Sequence, residues 1–213
     1  DTPAGAMTAV VGPADAVADA LAALPAEVEV AARNAPGAVT LSGPVERVAE
    51  AEAALADVGD VMVHRLAVGH AFHSAAMAPV ADELRRLVEQ TPRGVGRIPF
   101  ASDVDGHVVA PGESLPADHW SRQVRQTVRF EDAVRAVSDG ERRLFVEVGP
   151  GGVLVRLARR VLGEGRAPGV ATLPETAAPG HIAIDSVSSM PVVFSTSSSF
   201  HSVCFSVCSG HAG

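Results

Sequence analysis

The chain has 213 residues, enough to bury a core of its own and to hold one or two domains. Its formal net charge of −8 and pI near 5.4 argue against nucleic acid or an anionic membrane as the main partner. No run of about twenty apolar residues is available to span a bilayer. Residues 1–20 lack the basic start of a secretory signal, and the first 200 residues contain no cysteine for a disulfide or thiolate metal site. A cytoplasmic location is the resulting expectation.

In chain order, residues 6–12 form a short apolar run that predicts a strand. Residues 14–24 carry valine and leucine at helical spacing directly after Pro13, which suits a helix start. Residues 27–33 alternate polar and apolar, and Gly37 to Ser42 is a second β-rich run. Asn34-Ala35-Pro36-Gly37 between them is a turn signal. Gly43-Pro44 opens a helix over 44–57 with Val45, Val48, Ala51 and Leu55 on one face, and 61–67 returns to strand. The order β-α-β-β-α-β within about sixty residues is the split βαβ, or ferredoxin-like, unit. Beyond it come a helix over 75–90, short strands at 98–103 and 107–110, a helical turn around Trp120 and Val124, and a helix from Phe130 to Val137. A buried strand at 144–148, a glycine-rich turn and a helix at 153–162 follow. Strand, glycine turn and helix in succession is the parallel α/β rhythm.

Chemistry-bearing residues concentrate in Gly69-His70-Ala71-Phe72-His73-Ser74, between a strand and a helix. Histidine is suited to proton transfer near neutral pH, yet two histidines in such a loop serve structure as readily as catalysis, and the residues alone leave both open. Ser74 begins a helix and reads as its N-cap. No GxSxG elbow that would present a nucleophilic serine occurs in the sequence. Gly149-Pro150-Gly151-Gly152 has neither the GxGxxG nor the GK[ST] spacing of a phosphate cradle and reads as a tight turn. His64, His70 and His73 have no carboxylate or cysteine nearby to complete a metal set, so no metal is expected.

Several ordered segments carry a resemblance. They are Ala31-Ala32-Arg33-Asn34-Ala35-Pro36-Gly37, Val39-Thr40-Leu41-Ser42-Gly43, His70-Ala71-Phe72-His73-Ser74 with Met77, and Pro99-Phe100-Ala101-Ser102-Asp103-Val104. His119-Trp120, Gln123, Val128-Arg129-Phe130 and Phe145-Val146-Glu147-Val148-Gly149-Pro150 complete the set. Together, from Thr2 to about Leu173, they resemble the C-terminal part of an acyltransferase domain of a modular type I polyketide synthase and, more remotely, malonyl-CoA:acyl-carrier-protein transacylases. The resemblance implies an α/β fold in which a ferredoxin-like subdomain, residues 1–67, is followed by part of an α/β-hydrolase-like subdomain, residues 68–175. It also implies ping-pong transfer of malonyl from malonyl-CoA to the phosphopantetheine thiol of an acyl carrier protein, with no bound cofactor. His73 matches the catalytic histidine. Gln123 matches the position whose backbone carbonyl orients that histidine, as the acid of a triad would. Asn34 matches a position near the substrate pocket, and His70-Ala71-Phe72 matches the segment that selects malonyl over methylmalonyl, Phe72 narrowing the space for an α-methyl group. Methyl discrimination of this kind is worth about 1–3 kcal/mol.

Two departures shape the expectation for this chain. The family's GHSxG serine, its oxyanion-hole glutamine and the arginine that pairs with the malonyl carboxylate belong to an N-terminal half that the sequence does not include. The chain alone is therefore expected to be inactive and to need that half as a partner. Gln126-Thr127 also replaces the usual Glu-Pro before Val128. The competing reading is a non-catalytic carrier-protein docking or complementation module. Residues 176–213 differ in composition, holding ten of the sixteen serines and both cysteines. They show no helical period and no recognisable hairpin, and are expected to be a poorly ordered or foreign tail. Without the other half, the apolar faces of 75–90, 144–148 and 153–162 are expected to be exposed, and Pro191-Val192-Val193-Phe194 is the tail segment able to cover part of them.

Overall fold

The computed structural model describes residues 2–173 together with the backbone of two later strands, 192–196 and 205–208. Two compact units divide the chain. One comprises Asp1–Arg93 with Pro116–Arg129, the other Gly94–Leu115 with Phe130–Gly213.

The first unit contains β1 (Ala6–Val11), α1 (Ala14–Ala22), β2 (Glu29–Ala35), β3 (Ala38–Gly43), α2 (Val45–Ala56) and β4 (Met62–Arg65). Its strands are ordered β2-β3-β1-β4 and every neighbouring pair is antiparallel. This is the ferredoxin-like arrangement expected from the period switches. Pro13 and Pro44 sit immediately before α1 and α2 with φ near −58° and −55°, so the fixed proline φ sets the exit from strand into helix. The core is the face where Val10, Val39 and Leu41 of the sheet meet Val17 of α1 and Leu55 of α2. Burying each such side chain contributes about 1.5–3 kcal/mol. β3 is buried along its whole length because it lies inside the sheet. The β2–β3 turn requires glycine at position 37: φ is +66°, a Cβ would lie 2.1 Å from the Gly12 carbonyl oxygen, and the Gly12 N–H donates to Gly37 O at 2.9 Å.

A 3-10 turn (Ala75–Met77), α3 (Ala78–Gln90) and α4 (His119–Arg125) complete this unit. The compact units do not divide at the boundary predicted after residue 67. Residues 68–93 and 116–129 belong with the ferredoxin-like sheet because α3 packs on α4 and because residue 128 extends the sheet. Arg33 N–H donates to Val128 O at 2.9 Å and Val128 N–H to Ala31 O at 2.8 Å.

The second unit is built on a six-stranded sheet ordered β6-β5-β10-β9-β7-β8. Its strands are β5 (Phe100–Ala101), β6 (Val108–Val109), β7 (Leu144–Pro150), β8 (Gly169–Leu173), β9 (Val192–Thr196) and β10 (Phe205–Cys208). β7 runs parallel to β8 and to β9, and the rest of the sheet is antiparallel. Two helices belong to it, α5 (Phe130–Ser138) and α6 (Val153–Leu162). The described residues of the later segment are β9 and β10, which pair with each other and lie between β5 and β7. The three-residue apolar run Val192-Val193-Phe194 has too short a pattern to identify a strand from sequence. The unpaired edge of β7 supplies the hydrogen-bonding template that the run itself does not announce. Val80, Leu87, Val148 and Val153 are exposed, whereas Met77, Phe145, Val146, Val155 and Val161 of the same segments are buried, so the expected exposure of those faces holds only in part.

Candidate functional site

Residues 66–71 are laid along the N-terminal segment by main-chain bonds. Leu66 N–H donates to Met7 O at 2.9 Å, Gly5 N–H donates to Gly69 O at 3.0 Å, and Ala4 bridges to His70. The approach is close because residue 5 has no side chain: a Cβ there would lie 2.4 Å from Ala71 N. Ala71 is buried beneath this strap. His70 is exposed, its Nδ1 lying 3.0 Å from Thr2 Oγ1, and its ring meets Phe72 edge-on at 5.9 Å.

The chain then turns sharply. His73 has φ of +56°, a left-handed conformation that is uncommon for residues with a Cβ but visited more often by histidine than most. Ser74 fixes the turn from inside: its hydroxyl donates to Ala71 O at 2.6 Å and accepts from Ala76 N–H at 3.3 Å. The N-cap expected from sequence is therefore in place, and this buried hydroxyl holds the loop. The result aims the half-buried His73 ring at α4, where Nδ1 lies 2.9 Å from the main-chain oxygen of Gln123.

That partner decides the ring's proton. A carbonyl oxygen only accepts, so Nδ1 carries the hydrogen and the neutral ring has its lone pair on Nε2. Gln123 is in the last turn of α4, where carbonyls lack the donors of a continuing helix. The arrangement is that of a general base oriented through its second nitrogen.

The structure thus brings His73 and Gln123 together, with Phe72 and His70 in the same loop. Asn34 is not joined to them. It sits at the turn end of β2, about 16 Å along the strand from Glu29 by the usual rise per residue, and its Nδ2 donates to Thr40 Oγ1 at 3.1 Å across the hairpin. Among the described residues, no group of three or more His, Cys, Asp or Glu is placed to hold a metal ion, and no helix is long and apolar enough to cross a membrane.

Two further contributors, Gly5 and Glu29, had no distinct sequence signal, and a third, Thr127, stood out only as a departure from the usual Glu-Pro. Gly5 allows the close strap. Glu29 accepts from Ala75 N–H at 2.6 Å through one oxygen and from Arg125 at 3.0 Å through the other. Thr127 Oγ1 donates to Val30 O at 2.7 Å, fastening the segment after α4 to β2. Position 127 is one of the two that depart from the family's usual Glu-Pro, and the threonine hydroxyl gives it a bond that proline could not.

Comparison with known proteins gives a consistent result. The profile of the acyl transferase domain family matches residues 1–185. A polyketide synthase of Streptomyces halstedii, GfsB, is 43% identical over 169 residues, which are 78% of this chain and 3% of that protein. The acyltransferase domain from the second module of the salinomycin polyketide synthase superimposes with a TM-score of 0.72 at 35% identity, covering 82% of this chain and 41% of that one. An acyl carrier protein S-malonyltransferase from Vibrio cholerae O1 biovar eltor superimposes with a TM-score of 0.68 at 31% identity, covering 82% of this chain and 57% of its own. The chain therefore spans a few per cent of the curated synthase and about half of the solved domains.

Proposed function

The chain belongs to the acyl transferase domain family, and from that membership we propose that it forms the histidine-bearing part of a polyketide synthase acyltransferase domain that moves malonyl from malonyl-CoA to an acyl carrier protein. The observation that carries the reading is the His73 ring held through Nδ1 on the Gln123 carbonyl, with Nε2 as its basic nitrogen. In the first half-reaction Nε2 takes the proton from a serine hydroxyl as its oxygen attacks the thioester carbonyl. The carbon–sulfur bond breaks, and the imidazolium returns the proton to the coenzyme A sulfur. In the second half, the phosphopantetheine thiol gives its proton to Nε2 and attacks the acyl-serine. The carbon–oxygen bond breaks and the serine oxygen recovers the proton.

In this reading the serine comes from a GHSxG segment outside these 213 residues, His73 is the base, and Gln123 orients it through its main chain. Phe72, with His70 against its edge, shapes the space beside the malonyl α-carbon, and Asn34 lies near the substrate pocket. The cytoplasmic location expected from the sequence goes with this reading.

The test is complementation. Mixed with a separately expressed serine-bearing half and labelled malonyl-CoA, the chain should produce an acyl adduct on that serine by intact mass, and His73→Ala should abolish it. The chain alone should acquire none. A stable adduct on this chain alone, or acylation indifferent to His73→Ala, would overturn the assignment.

A further inference from the structure

We propose that Glu29 is a positioning residue for the His73 ring: one carboxylate clasps both the loop that carries the imidazole and the helix end that carries its carbonyl partner. The inference rests on His73 acting as the proton carrier.

Four observations lead to it. First, His73 sits in a left-handed backbone conformation at φ +56°, which persists only where the surroundings hold it. Second, the bonds within its own loop, from Ser74 to Ala71 and Ala76, are local. They shape the turn without fixing where it lies relative to α4. Third, Glu29 adds a restraint between the loop and α4 beside the His73–Gln123 bond itself. Its Oε1 accepts from the main-chain N–H of Ala75, two residues after His73, at 2.6 Å. Its Oε2 accepts from Arg125, two residues after Gln123, at 3.0 Å. Fourth, the residue is rooted in the sheet, where its Cα pairs with that of the buried Ser42 in β3.

A carboxylate suits the task because two acceptor oxygens on one rigid fork serve two donors at a fixed spacing. Glu29 and Arg125 are each about one-third exposed, at 36% and 35%, and a pair this open adds little to global stability. The effect of Glu29 therefore belongs in the orientation and tautomer of the ring more than in the unfolding midpoint.

The experiment uses the full chain labelled with 15N-histidine. Two-bond proton–nitrogen correlation separates Nδ1–H from Nε2–H imidazoles, and the His73 signal is identified by its loss in His73→Asn. The unaltered chain should show His73 as the Nδ1–H form with a slowly exchanging ring proton. Glu29→Ala should convert it to a mixture of tautomers with fast exchange, while the unfolding midpoint read by Trp120 fluorescence barely moves. Glu29→Gln and Arg125→Gln each keep one side of the clasp and should give intermediate populations. A single Nδ1–H form in Glu29→Ala overturns the proposal. Should that variant not fold, the unaltered tautomer in both glutamine variants overturns it equally. Failure of the complementation experiment alongside a Glu29-dependent tautomer would remove the acyl-transfer reading and leave this one standing.

Discussion

Replacing Gly5 by alanine should loosen the strap beneath the His73 loop. The new Cβ would lie 2.4 Å from Ala71 N, 2.6 Å from Ala71 Cβ and 2.9 Å from Ala71 Cα, whereas non-bonded carbons rest about 3.5–4.0 Å apart. Two of the three atoms are main chain, so no rotamer change relieves the clash and the segments must part by about 1 Å. That carries the Gly5 N–H to Gly69 O bond, now 3.0 Å, out to about 4 Å and beyond hydrogen-bonding range. Losing the bond costs about 0.5–1.5 kcal/mol, and crowding a closely packed site costs about 1–3 kcal/mol. Alanine returns about 0.4–1 kcal/mol by restricting the unfolded chain. The net expectation is a loss of about 2 kcal/mol.

The assay is urea unfolding followed by the fluorescence of Trp120, the one tryptophan of the chain. It lies in α4 within the same compact unit. At a slope of about 2 kcal/mol per molar urea, the midpoint should fall by about 1 M. Gly69→Ala is the matched control, since a Cβ at that position meets no atom within 4 Å. Coincident midpoints for the two variants would show that residues 2–5 do not restrain the loop, and would refute the steric reasoning.

Other outcomes follow from two carboxylates. Glu147 is buried at 1% exposure, and its Oε2 accepts from the N–H groups of Leu154 and Val155 at 3.0 and 3.1 Å, capping α6. Glu147→Ala should speed amide exchange at those two positions by about thirtyfold, the equivalent of about 2 kcal/mol, and unchanged exchange would contradict the cap. Glu52 is gripped by Arg65 through two bonds of 2.6 Å, which hold its carboxyl below the ordinary value of 4.5 and raise the guanidinium. Because the folded value is the lower one, the stabilisation is present above about pH 4.5 and is lost as pH falls through the folded value. Glu52→Gln should accordingly lower stability at pH 7 by no more than about 1 kcal/mol and show a smaller deficit near pH 3.5 in the same urea assay. An equal deficit at both pH values would mean that the ion pair is not responsible.

Much of the fold is legible because each switch between strand and helix is punctuated by its own residue, Pro13, Pro36-Gly37 and Pro44 among them. The element order β-α-β-β-α-β then implies the ferredoxin-like sheet, in which Val10, Val39 and Leu41 share one buried face. Legibility fails where the determinant is a partner and not a pattern. Residues 192–196 become a strand against the edge of β7, and nothing within those five residues announces that edge. The bridge from residue 128 to β2 joins segments far apart in sequence, which no local pattern announces. In the site, His73 stands out by residue type. Glu29, by contrast, is one charged residue in an alternating strand, where charge normally means a solvated face, and only its two hydrogen bonds distinguish it.

The partner of the His73 ring is a main-chain oxygen, so no codon specifies it. Any amino acid at position 123 that keeps α4 in phase carries the same carbonyl, and a single-base change cannot delete it as it could delete an aspartate. Inheritance of the ring's orientation therefore depends on where α4 ends, a property shared among Gln123, Gln126 and Thr127. A scan of position 123 for an acidic or amide side chain would pass over the contact.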